Sequence, residues 1–68
     1  MIKILYNGQN YFIYDHQVTI LNLINYFNIN SNILILEYNG VLLNKIFWNN
    51  TFLQNYDRIE VITIVGGG

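Results

Sequence analysis

Three consecutive glycines close the sequence, directly after the alternating apolar run ITIV. Since glycine makes up about 7% of an average protein, three such residues together arise by chance in roughly three chains in ten thousand. A cloning remnant or a frayed end is the alternative, but a remnant usually brings serine or tag residues as well. We therefore interpret Gly66, Gly67 and Gly68 as a functional tail that ends in a reactive carboxylate.

The chemistry open to such a tail is that of an activated carboxylate. A free α-carboxyl group titrates at about pH 3.5, so we expect Gly68 to be an anion at neutral pH. This anion can attack a polarised phosphorus when a partner enzyme holds ATP and magnesium, and the acyl phosphate formed is a good electrophile for sulfur. Because glycine lacks a Cβ atom, Gly66 and Gly67 allow the chain to thread a narrow channel.

The other residues with chemical potential do not form a recognisable catalytic set. The sequence has no cysteine, and its one histidine, His16, cannot form a metal cluster alone. We interpret His16 as an exposed loop residue, Trp48 as a packing residue, and Asp57 with Arg58 as a turn followed by a surface pair. The sequence thus predicts no bound cofactor, no metal site and no catalytic activity of its own.

Charged residues form only 10% of the chain, and the formal net charge is −1. The three cations, Lys3, Lys45 and Arg58, are too few for a stripe that neutralises phosphates or for a basic membrane-binding face. No apolar segment approaches the roughly 20 residues of a membrane span, and the N-terminus lacks the basic start of a signal peptide. We therefore expect no nucleic-acid partner, no membrane partner, and a soluble protein that is not exported.

Twelve asparagines and twelve isoleucines, with no alanine and no proline, give the chain an unusual composition. We see no local structure that requires this bias. The abundant residues have AT-rich codons and the missing ones have GC-rich codons, so we interpret the composition as the mark of an AT-rich genome, such as that of a plastid or an endosymbiont. The predicted location is accordingly the plastid stroma or a bacterial cytoplasm.

Two Asn-Gly pairs predict the turns of the fold. Asn7 and Gly8 separate the strand-forming runs IKILY and QNYFIYD, which indicates a first hairpin. Asn39 and Gly40 end a third strand, ILILEY, and are followed by a short strand that begins with VLL. After it, KIFWNN loses periodicity, and we interpret TFLQNYD as an apolar loop that covers an edge of the core.

An apolar stripe with helical spacing lies between these two regions. Ile20, Leu23, Ile24 and Phe27 fall at positions i, i+3, i+4 and i+7, and Thr19 can cap the start of the helix. A last strand alternates from residue 59 to residue 64. The predicted core contains the following residues: Ile4, Leu23, Ile24, Phe27, Leu36 and Val61.

The predicted element order is β-β-α-β-β-β. A helix that crosses one face of the sheet with right-handed connectivity places the last strand beside the first and parallel to it. This is an α+β fold of the β-grasp (ubiquitin-like) type, a mixed sheet of four to five strands with one helix packed across one face. We expect one β-grasp domain over residues 1–65, with the last strand hydrogen-bonded on both sides up to about Val65, and a flexible glycine tail over residues 66–68.

Strand alternation also predicts a docking surface on the sheet face away from the helix. If the predicted core residues of the first and last strands point inward, these side chains point outward: Leu5, Ile62 and Ile64, with Lys3 and Glu60 at the edge. An exposed apolar group beside the tail is where a partner would bind. The alternative is the scattered apolar surface expected of any chain with few charges.

Over essentially its whole length, the sequence resembles the ThiS family of sulfur carrier proteins in thiamine biosynthesis. The resemblance rests on the opening IKILYNGQ, the helix VTILNLINYF, the stretch LEYNGVLLNKIFW and, above all, the ending YDRIEVITIVGGG. Many relatives have proline and arginine before the Trp48 position, where this chain has Asn44 and Lys45. We therefore assign no partner-binding role to that stretch.

The resemblance implies a chemistry for Gly68. An E1-like adenylating enzyme of the ThiF type joins the Gly68 carboxylate to AMP using ATP, and a persulfide sulfur that a desulfurase draws from cysteine then displaces AMP. The product is a C-terminal thiocarboxylate, from which thiazole synthase, the ThiG-like partner, takes sulfur into the thiazole ring. The chain is thus expected to be a recycled substrate of its partners, monomeric when free, and not an enzyme.

Three other functions stay open on sequence grounds. A carrier that resembles the small subunit of molybdopterin synthase shares the ending and the activation, although that subunit is usually longer. A ubiquitin-like modifier uses the same activated glycine but ends in an amide bond to lysine. A structural interaction module leaves the tail unused.

Overall fold

The computed structural model of the chain describes residues 1–27 and 33–63. Its elements are, in chain order, β1 (Ile2–Tyr6), β2 (Gln9–Ile13), α1 (Ile20–Tyr26), β3 (Ile33–Tyr38), β4 (Val41–Leu42), a 3₁₀ helix (Lys45–Asn50) and β5 (Arg58–Thr63). The predicted order of strands and helix is confirmed, and the 3₁₀ helix is an addition to it.

The five strands form one mixed sheet in the order β2-β1-β5-β3-β4. β5 is parallel to β1 and antiparallel to β3, while β2 and β4 pair with their hairpin neighbours. The strand that comes last in the chain is therefore the central strand of the sheet. This arrangement confirms the predicted β-grasp fold.

Both Asn-Gly pairs form the predicted turns. Asn7 has a φ of 46° and Gly8 a φ of 81°, and the values at Asn39 and Gly40 are 53° and 85°. Left-handed backbone at two successive residues is the geometry of the tight hairpin turn, which asparagine and glycine adopt at the lowest steric cost. The two turns therefore set the registers of both hairpins.

Helix α1 begins with a reciprocal cap. The hydroxyl of Thr19, the predicted N-cap, accepts a hydrogen bond from the Asn22 main-chain N–H at 3.1 Å, and the Asn22 side-chain oxygen accepts one from the Thr19 N–H at 3.0 Å. The sequence predicted the cap but not its partner, because this position usually carries glutamate or glutamine. The Ile20 N–H also donates to the Thr51 carbonyl oxygen at 2.9 Å, which fixes the start of α1 against the segment that follows the 3₁₀ helix.

The core lies between α1 and one face of the sheet. Ile4, Ile20 and Ile59 are almost completely buried, and the other buried apolar residues are Tyr6, Leu23, Ile24, Leu36, Trp48 and Leu53. Two predicted core residues, Phe27 and Val61, are only partly buried and pack against the rim of this cluster. The apolar stripe of α1 thus faces the sheet, as predicted.

The segment predicted to lack periodicity contains the 3₁₀ helix. The Asn44 side-chain oxygen caps this helix by accepting a hydrogen bond from the Ile46 N–H at 3.1 Å. Its buried residue is Trp48, whose Nε1–H donates to the Leu43 carbonyl oxygen at 3.0 Å. The packing role predicted for Trp48 is confirmed. The helix itself was missed because two short turns leave no recognisable apolar stripe in the sequence.

Strand β5 extends beyond β1 toward the end of the chain. Its registered pairing with β1 ends at Tyr6 and Ile59, whereas its pairing with β3 continues to Thr63. The prediction that β5 is paired on both sides up to Val65 is wrong on the β1 side, because β1 gives way there to the first Asn-Gly turn. Val65 itself lies outside the described residues.

Shortening Ile59 tests the packing of the central strand. Ile59→Val removes a methylene group from a side chain with 0% exposure and is expected to lower the free energy of unfolding by about 0.5–1.5 kcal/mol. The matched control is Ile62→Val on the same strand, where the side chain is 50% exposed and the loss should stay below about 0.5 kcal/mol. Urea unfolding measures both variants, and equal losses would contradict the assigned faces of β5.

Candidate functional site

The predicted reactive residues Gly66, Gly67 and Gly68 lie outside the described residues, as does Ile64 of the predicted docking surface. The described part of the site is β5, the strand that precedes the tail, and the hydrogen bonds that hold β5 are structural. Neither neighbour of β5 in the sheet is joined to it by a hairpin. The position of β5 therefore depends on hydrogen bonds from distant parts of the chain.

On the β3 side, Asn39 of the second Asn-Gly turn holds the start of β5. The Asn39 N–H donates to the Arg58 carbonyl oxygen at 2.8 Å, and the Arg58 N–H donates to Oδ1 of the Asn39 side chain at 2.8 Å. In a regular antiparallel pair, the second bond goes to the main-chain carbonyl oxygen of the opposing residue. The side-chain amide of Asn39 thus replaces its own carbonyl group in the ladder.

On the β1 side, Asn7 of the first Asn-Gly turn holds β5 in a similar way. The Asn7 N–H donates to the Ile59 carbonyl oxygen at 2.9 Å, and the Val61 N–H donates to Oδ1 of the Asn7 side chain at 2.7 Å. Both hairpin turns predicted from the sequence therefore have a second task, which is to bind the central strand through an asparagine side chain. This task was not predicted, because it depends on contacts across the sheet.

Asp57 lies directly before β5 and is 6% exposed. It accepts hydrogen bonds from the Tyr38 hydroxyl at 2.5 Å, from Nδ2 of Asn39 at 3.1 Å and from the Gln54 N–H at 2.7 Å. The predicted turn is present, but the prediction that Asp57 forms a surface pair with Arg58 is wrong. Hydrogen bonds from three donors offset the cost of removing this carboxylate from water, so it points inward and fixes the turn before β5.

The pKa of the Tyr38 hydroxyl is affected both by its own burial and by this carboxylate. Its pKa is raised, first by burial of the phenol, then by the hydrogen bond that it donates to Asp57 and by the negative charge of that residue. Each cause favours the neutral, protonated hydroxyl over the phenolate. Tyr38 is therefore a proton donor to Asp57 throughout the neutral and mildly alkaline range.

The loop before β5 is bonded to β1. The Lys3 N–H donates to Oδ1 of Asn55 at 2.8 Å, and the Lys3 carbonyl oxygen accepts from the Tyr56 N–H at 2.6 Å. Further along β1, the Leu5 N–H donates to the Asp57 carbonyl oxygen at 2.9 Å. The main chain from residue 56 to residue 59 and the side chain of Asn55 are therefore held against β1 before β5 runs beyond it.

The sheet face opposite α1, which we call the open face, carries the described residues of the predicted docking surface. Ile62 is 50% exposed, Glu60 is exposed, and Lys3 and Leu5 are half-buried. The strand registers add two exposed or half-buried apolar residues that were not predicted, since Ile35 opposes Ile62 and Phe12 opposes Lys3. The open face is thus broader than the sequence indicated, and its role in docking stays a prediction.

Two acidic residues occupy directly opposed positions on the open face. Glu37 of β3 directly opposes Glu60 of β5, and these are two of the four acidic residues in the chain. Like charges at directly opposed positions destabilise a sheet. An opposed pair of acidic residues, which disfavours the folded state of the free chain, is typical of a functional surface where a partner supplies a cation. This pair could not be found from the sequence, because it depends on the register of β3 against β5.

His16 lies in an exposed bend, as predicted, and lines a surface cleft of about 640 Å³ between β2 and α1. Within residues 1–27 and 33–63, no group of three histidine, aspartate or glutamate side chains is placed to hold a metal ion. In the same part of the chain, no helix is long and apolar enough to cross a membrane.

Comparison with known proteins decides the family. The model of the ThiS family matches residues 4–68, a range that includes β5 and the three glycines. The chain belongs to the ThiS family. This membership confirms the resemblance found in the sequence and makes the protein a ubiquitin-like sulfur carrier by family.

Membership of the ThiS family agrees with the fold. The crystal structure of the thiamine biosynthesis protein ThiS from Geobacter metallireducens superposes with a TM-score of 0.81, covering 98% of this chain and 100% of that one. At 18% identity, this likeness concerns the fold alone. The Geobacter metallireducens protein thus has the same fold as this chain.

Curated relatives of this ThiS-family chain come from algae and carry the name ycf40, which is used for genes of chloroplast genomes. The protein from Trieres chinensis is 45% identical over 62 residues, which cover 91% of this chain and 84% of that protein. The protein from Pyropia yezoensis is 39% identical over 67 residues, covering 98% and 93%. The Porphyra purpurea protein is 36% identical with the same coverage.

The bond between Tyr38 and Asp57 gives a pH-dependent stability. Because the pKa of Tyr38 is higher in the folded chain than in the unfolded one, the stability it contributes is complete below about pH 10 and is lost as the pH rises further. At pH 7, Tyr38→Phe should therefore have a free energy of unfolding about 1–2 kcal/mol lower than that of the wild type. As the pH rises from 10 to 12, the free energy of unfolding should fall less in this variant than in the wild type.

Urea unfolding at a series of pH values measures this difference. Tyr14→Phe, at a tyrosine that is 72% exposed, is the matched control for removal of a hydroxyl group. Identical pH profiles for the wild type and Tyr38→Phe would contradict the assigned role of the Tyr38 hydroxyl.

Proposed function

We propose that the chain carries sulfur as a thiocarboxylate on Gly68 and delivers it to a ThiG-like thiazole synthase in thiamine biosynthesis. The observation that carries this proposal is the match to the ThiS family, which runs through Gly68 itself. The described structure supports it, because the last strand is the central strand and leads directly toward the tail. The Geobacter metallireducens protein of the same fold is a thiamine biosynthesis protein.

The proposed cycle begins with adenylation. A carboxylate oxygen of Gly68 attacks the α-phosphorus of ATP on a ThiF-type enzyme, which forms the acyl adenylate and releases pyrophosphate. ATP and magnesium are bound by that enzyme, and the carrier supplies the anion alone. Since the chain has no cysteine, it offers no thiol of its own to intercept the activated end.

Sulfur transfer follows at the same carbon atom. The terminal sulfur of a persulfide, made from cysteine by a desulfurase, attacks the acyl carbon and expels AMP. A second thiol then cleaves the resulting acyl disulfide, is itself oxidised to a disulfide, and leaves the thiocarboxylate. After thiazole synthase has taken the sulfur, Gly68 is a carboxylate again. The chain thus acts as a recycled substrate and not as an enzyme.

We assign the docking of these partners to the open face. Glycines offer no side chain for recognition, so a partner that threads the tail must identify the carrier elsewhere. The open face adjoins the strand that leads to the tail and combines exposed Ile62 with the opposed carboxylates of Glu37 and Glu60. We expect each partner to bring apolar side chains and cations to this face of a monomeric carrier.

We place the protein in the plastid stroma. The support is the algal ycf40 relatives, whose name belongs to chloroplast genomes, and the AT-rich codon bias that the composition indicates. Fractionation of the source cells with an antibody to the chain tests this assignment. Recovery outside the plastid fraction would contradict it, with a bacterial cytoplasm as the alternative setting.

Changing the end of the chain tests the proposed chemistry. Deletion of Gly68 should abolish thiocarboxylate formation, because the carboxylate no longer reaches the adenylation site. Two residues added after Gly68 should be equally harmful, since they displace the carboxylate while every other contact is kept. Gly67→Ala should slow the reaction, because a methyl group widens the threaded chain and restricts its φ angles.

Intact mass after incubation with ATP, magnesium, the ThiF-type enzyme and a persulfide donor measures the replacement of oxygen by sulfur. Thermal melting is the control, and all three variants should melt close to the wild type. Sulfur acquired by the deleted or extended chain would refute the proposal. Covalent adducts on lysines of other proteins would instead indicate a modifier, and sulfur transfer only to a molybdopterin-type acceptor would indicate the related carrier.

Placing a charge on the open face tests the docking assignment. Ile62→Glu should raise the KM for adenylation by about tenfold or more, because a carboxylate enters an apolar contact already bordered by two acids. The matched control is Ile46→Glu, at an isoleucine that is 73% exposed on the 3₁₀ helix. That helix packs against α1 and so lies on the other side of the sheet. An unchanged KM for Ile62→Glu, or equal effects of both changes, would remove the assignment.

A further inference from the structure

The main-chain groups of β5 point alternately toward β3 and toward β1. Asn39 and Arg58 oppose each other and are joined by hydrogen bonds, so Arg58 and every second residue after it bond toward β3. Ile59 and Val61 therefore direct their main-chain N–H and C=O groups toward the β1 side. At Ile59 these groups meet β1 and its turn, but the register with β1 ends there.

The Val61 N–H consequently points to a place where β1 no longer runs. A parallel ladder would supply a main-chain carbonyl oxygen at this place. The chain supplies Oδ1 of Asn7 instead, at 2.7 Å from the Val61 nitrogen. The side chain of Asn7 thus extends the parallel ladder by one hydrogen bond beyond the end of β1.

The other side of β5 is less regular at this point. The register between β3 and β5 shifts between Ile33 and Ile35, which oppose Thr63 and Ile62. A shift of this kind bends the strand and interrupts the even spacing of the ladder. Among the described residues, the hydrogen bond that the Val61 N–H donates to Asn7 is therefore the farthest anchor of β5 on the β1 side, and it lies next to the point where the ladder with β3 becomes irregular.

Few residue types meet the conditions at position 7. The backbone is left-handed, with a φ of 46°, which glycine, asparagine and aspartate tolerate best. Glycine has no acceptor, whereas asparagine and aspartate carry a side-chain oxygen at a suitable distance. Asparagine therefore meets both conditions at position 7, since it favours the left-handed turn and carries the oxygen that accepts from the Val61 N–H.

We propose that Asn7 is a positioning residue for the tail, and that its amide oxygen fixes the direction in which β5 presents Gly68 to the adenylating enzyme. This inference rests on the proposed function of Gly68. Val61 precedes Gly68 by seven residues, a stretch that spans at most about 25 Å. Loss of the bond to Asn7 frees β5 on its β1 side at Val61, before the tail begins, and misplacement of a reacting group by about 1 Å costs up to about a hundredfold in rate.

Three variants separate positioning from stability. Asn7→Gly keeps the left-handed turn and removes the acceptor, whereas Asn7→Asp keeps both. Asn39→Gly is the matched control, because it makes the same change in the other Asn-Gly turn and loses the bonds to Arg58 and Asp57 at the start of β5. All three variants are assayed as the full chain, at a temperature well below their melting transitions.

The readouts are amide hydrogen exchange of Val61 by NMR and the kinetics of Gly68 adenylation with the ThiF-type enzyme. For Asn7→Gly, we expect exchange at Val61 to rise by about tenfold or more and kcat to fall by about tenfold, with KM little changed because the open face is intact. Asn7→Asp should keep both the exchange rate at Val61 and kcat near their wild-type values. Asn39→Gly should lower the melting temperature but leave kcat near the wild-type value.

An unchanged kcat in Asn7→Gly, an equal fall in Asn39→Gly, or failure of Asn7→Asp to rescue would each overturn the role of Asn7. The proposed function is tested separately by the wild-type chain. If wild-type Gly68 is not adenylated, the carrier function fails and the positioning role fails with it. If Gly68 is adenylated at the same rate in all four proteins, only the role of Asn7 is wrong.

Discussion

The hydrogen bonds that two asparagine side chains make to β5 are the interaction on which the described sheet depends. β5 is central, yet its neighbours come from chain segments far away in sequence, so no hairpin brings it into place. Asn7 acts across 54 residues to Val61, and Asn39 acts across 19 residues to Arg58. Each asparagine belongs to a turn that local sequence already specifies. Each hairpin turn therefore carries an asparagine side chain that can accept a hydrogen bond from β5.

This use of amide groups changes the interpretation of the composition. Among the described residues, Asn7, Asn22, Asn39, Asn44 and Asn55 each accept a hydrogen bond from a main-chain N–H through the side chain. They cap helices, close turns and complete ladders, which are tasks that aspartate, serine and threonine often share in other proteins. The AT-rich genome that we infer from the composition would account for the number of asparagines. The structure shows that five of these asparagines are used for hydrogen bonds to the main chain, some of them across distant parts of the sequence.

Local features of the sequence were sufficient to predict the elements of the fold. Positive φ at Asn-Gly pairs, the helical spacing from Ile20 to Phe27 and strand alternation are all decided within a few residues of chain. Apart from the 3₁₀ helix and the Asn22 partner of the Thr19 cap, which are local, the wrong or missing predictions concern residues that act at a distance. Asp57 was assigned to the surface because its donor Tyr38 lies 19 residues away, and the pairing of Glu37 with Glu60 depends on a register that periodicity does not reveal. For the same reason, Asn7 was predicted only as a turn residue.

The division of the sheet into two faces lets stability and recognition vary independently. Ile4, Ile59 and the α1 residues form the core on one face, and the open face contributes little to it. A tail of glycines gives a partner no side chain to read, so the docking proposed above assigns discrimination between this carrier and others to the open face. The opposed carboxylates of Glu37 and Glu60 disfavour the free domain slightly, but they favour any partner that brings a cation between them. Under the proposed docking, this pair is a place on the open face where a small loss of folding free energy would be exchanged for specificity toward a complementary enzyme.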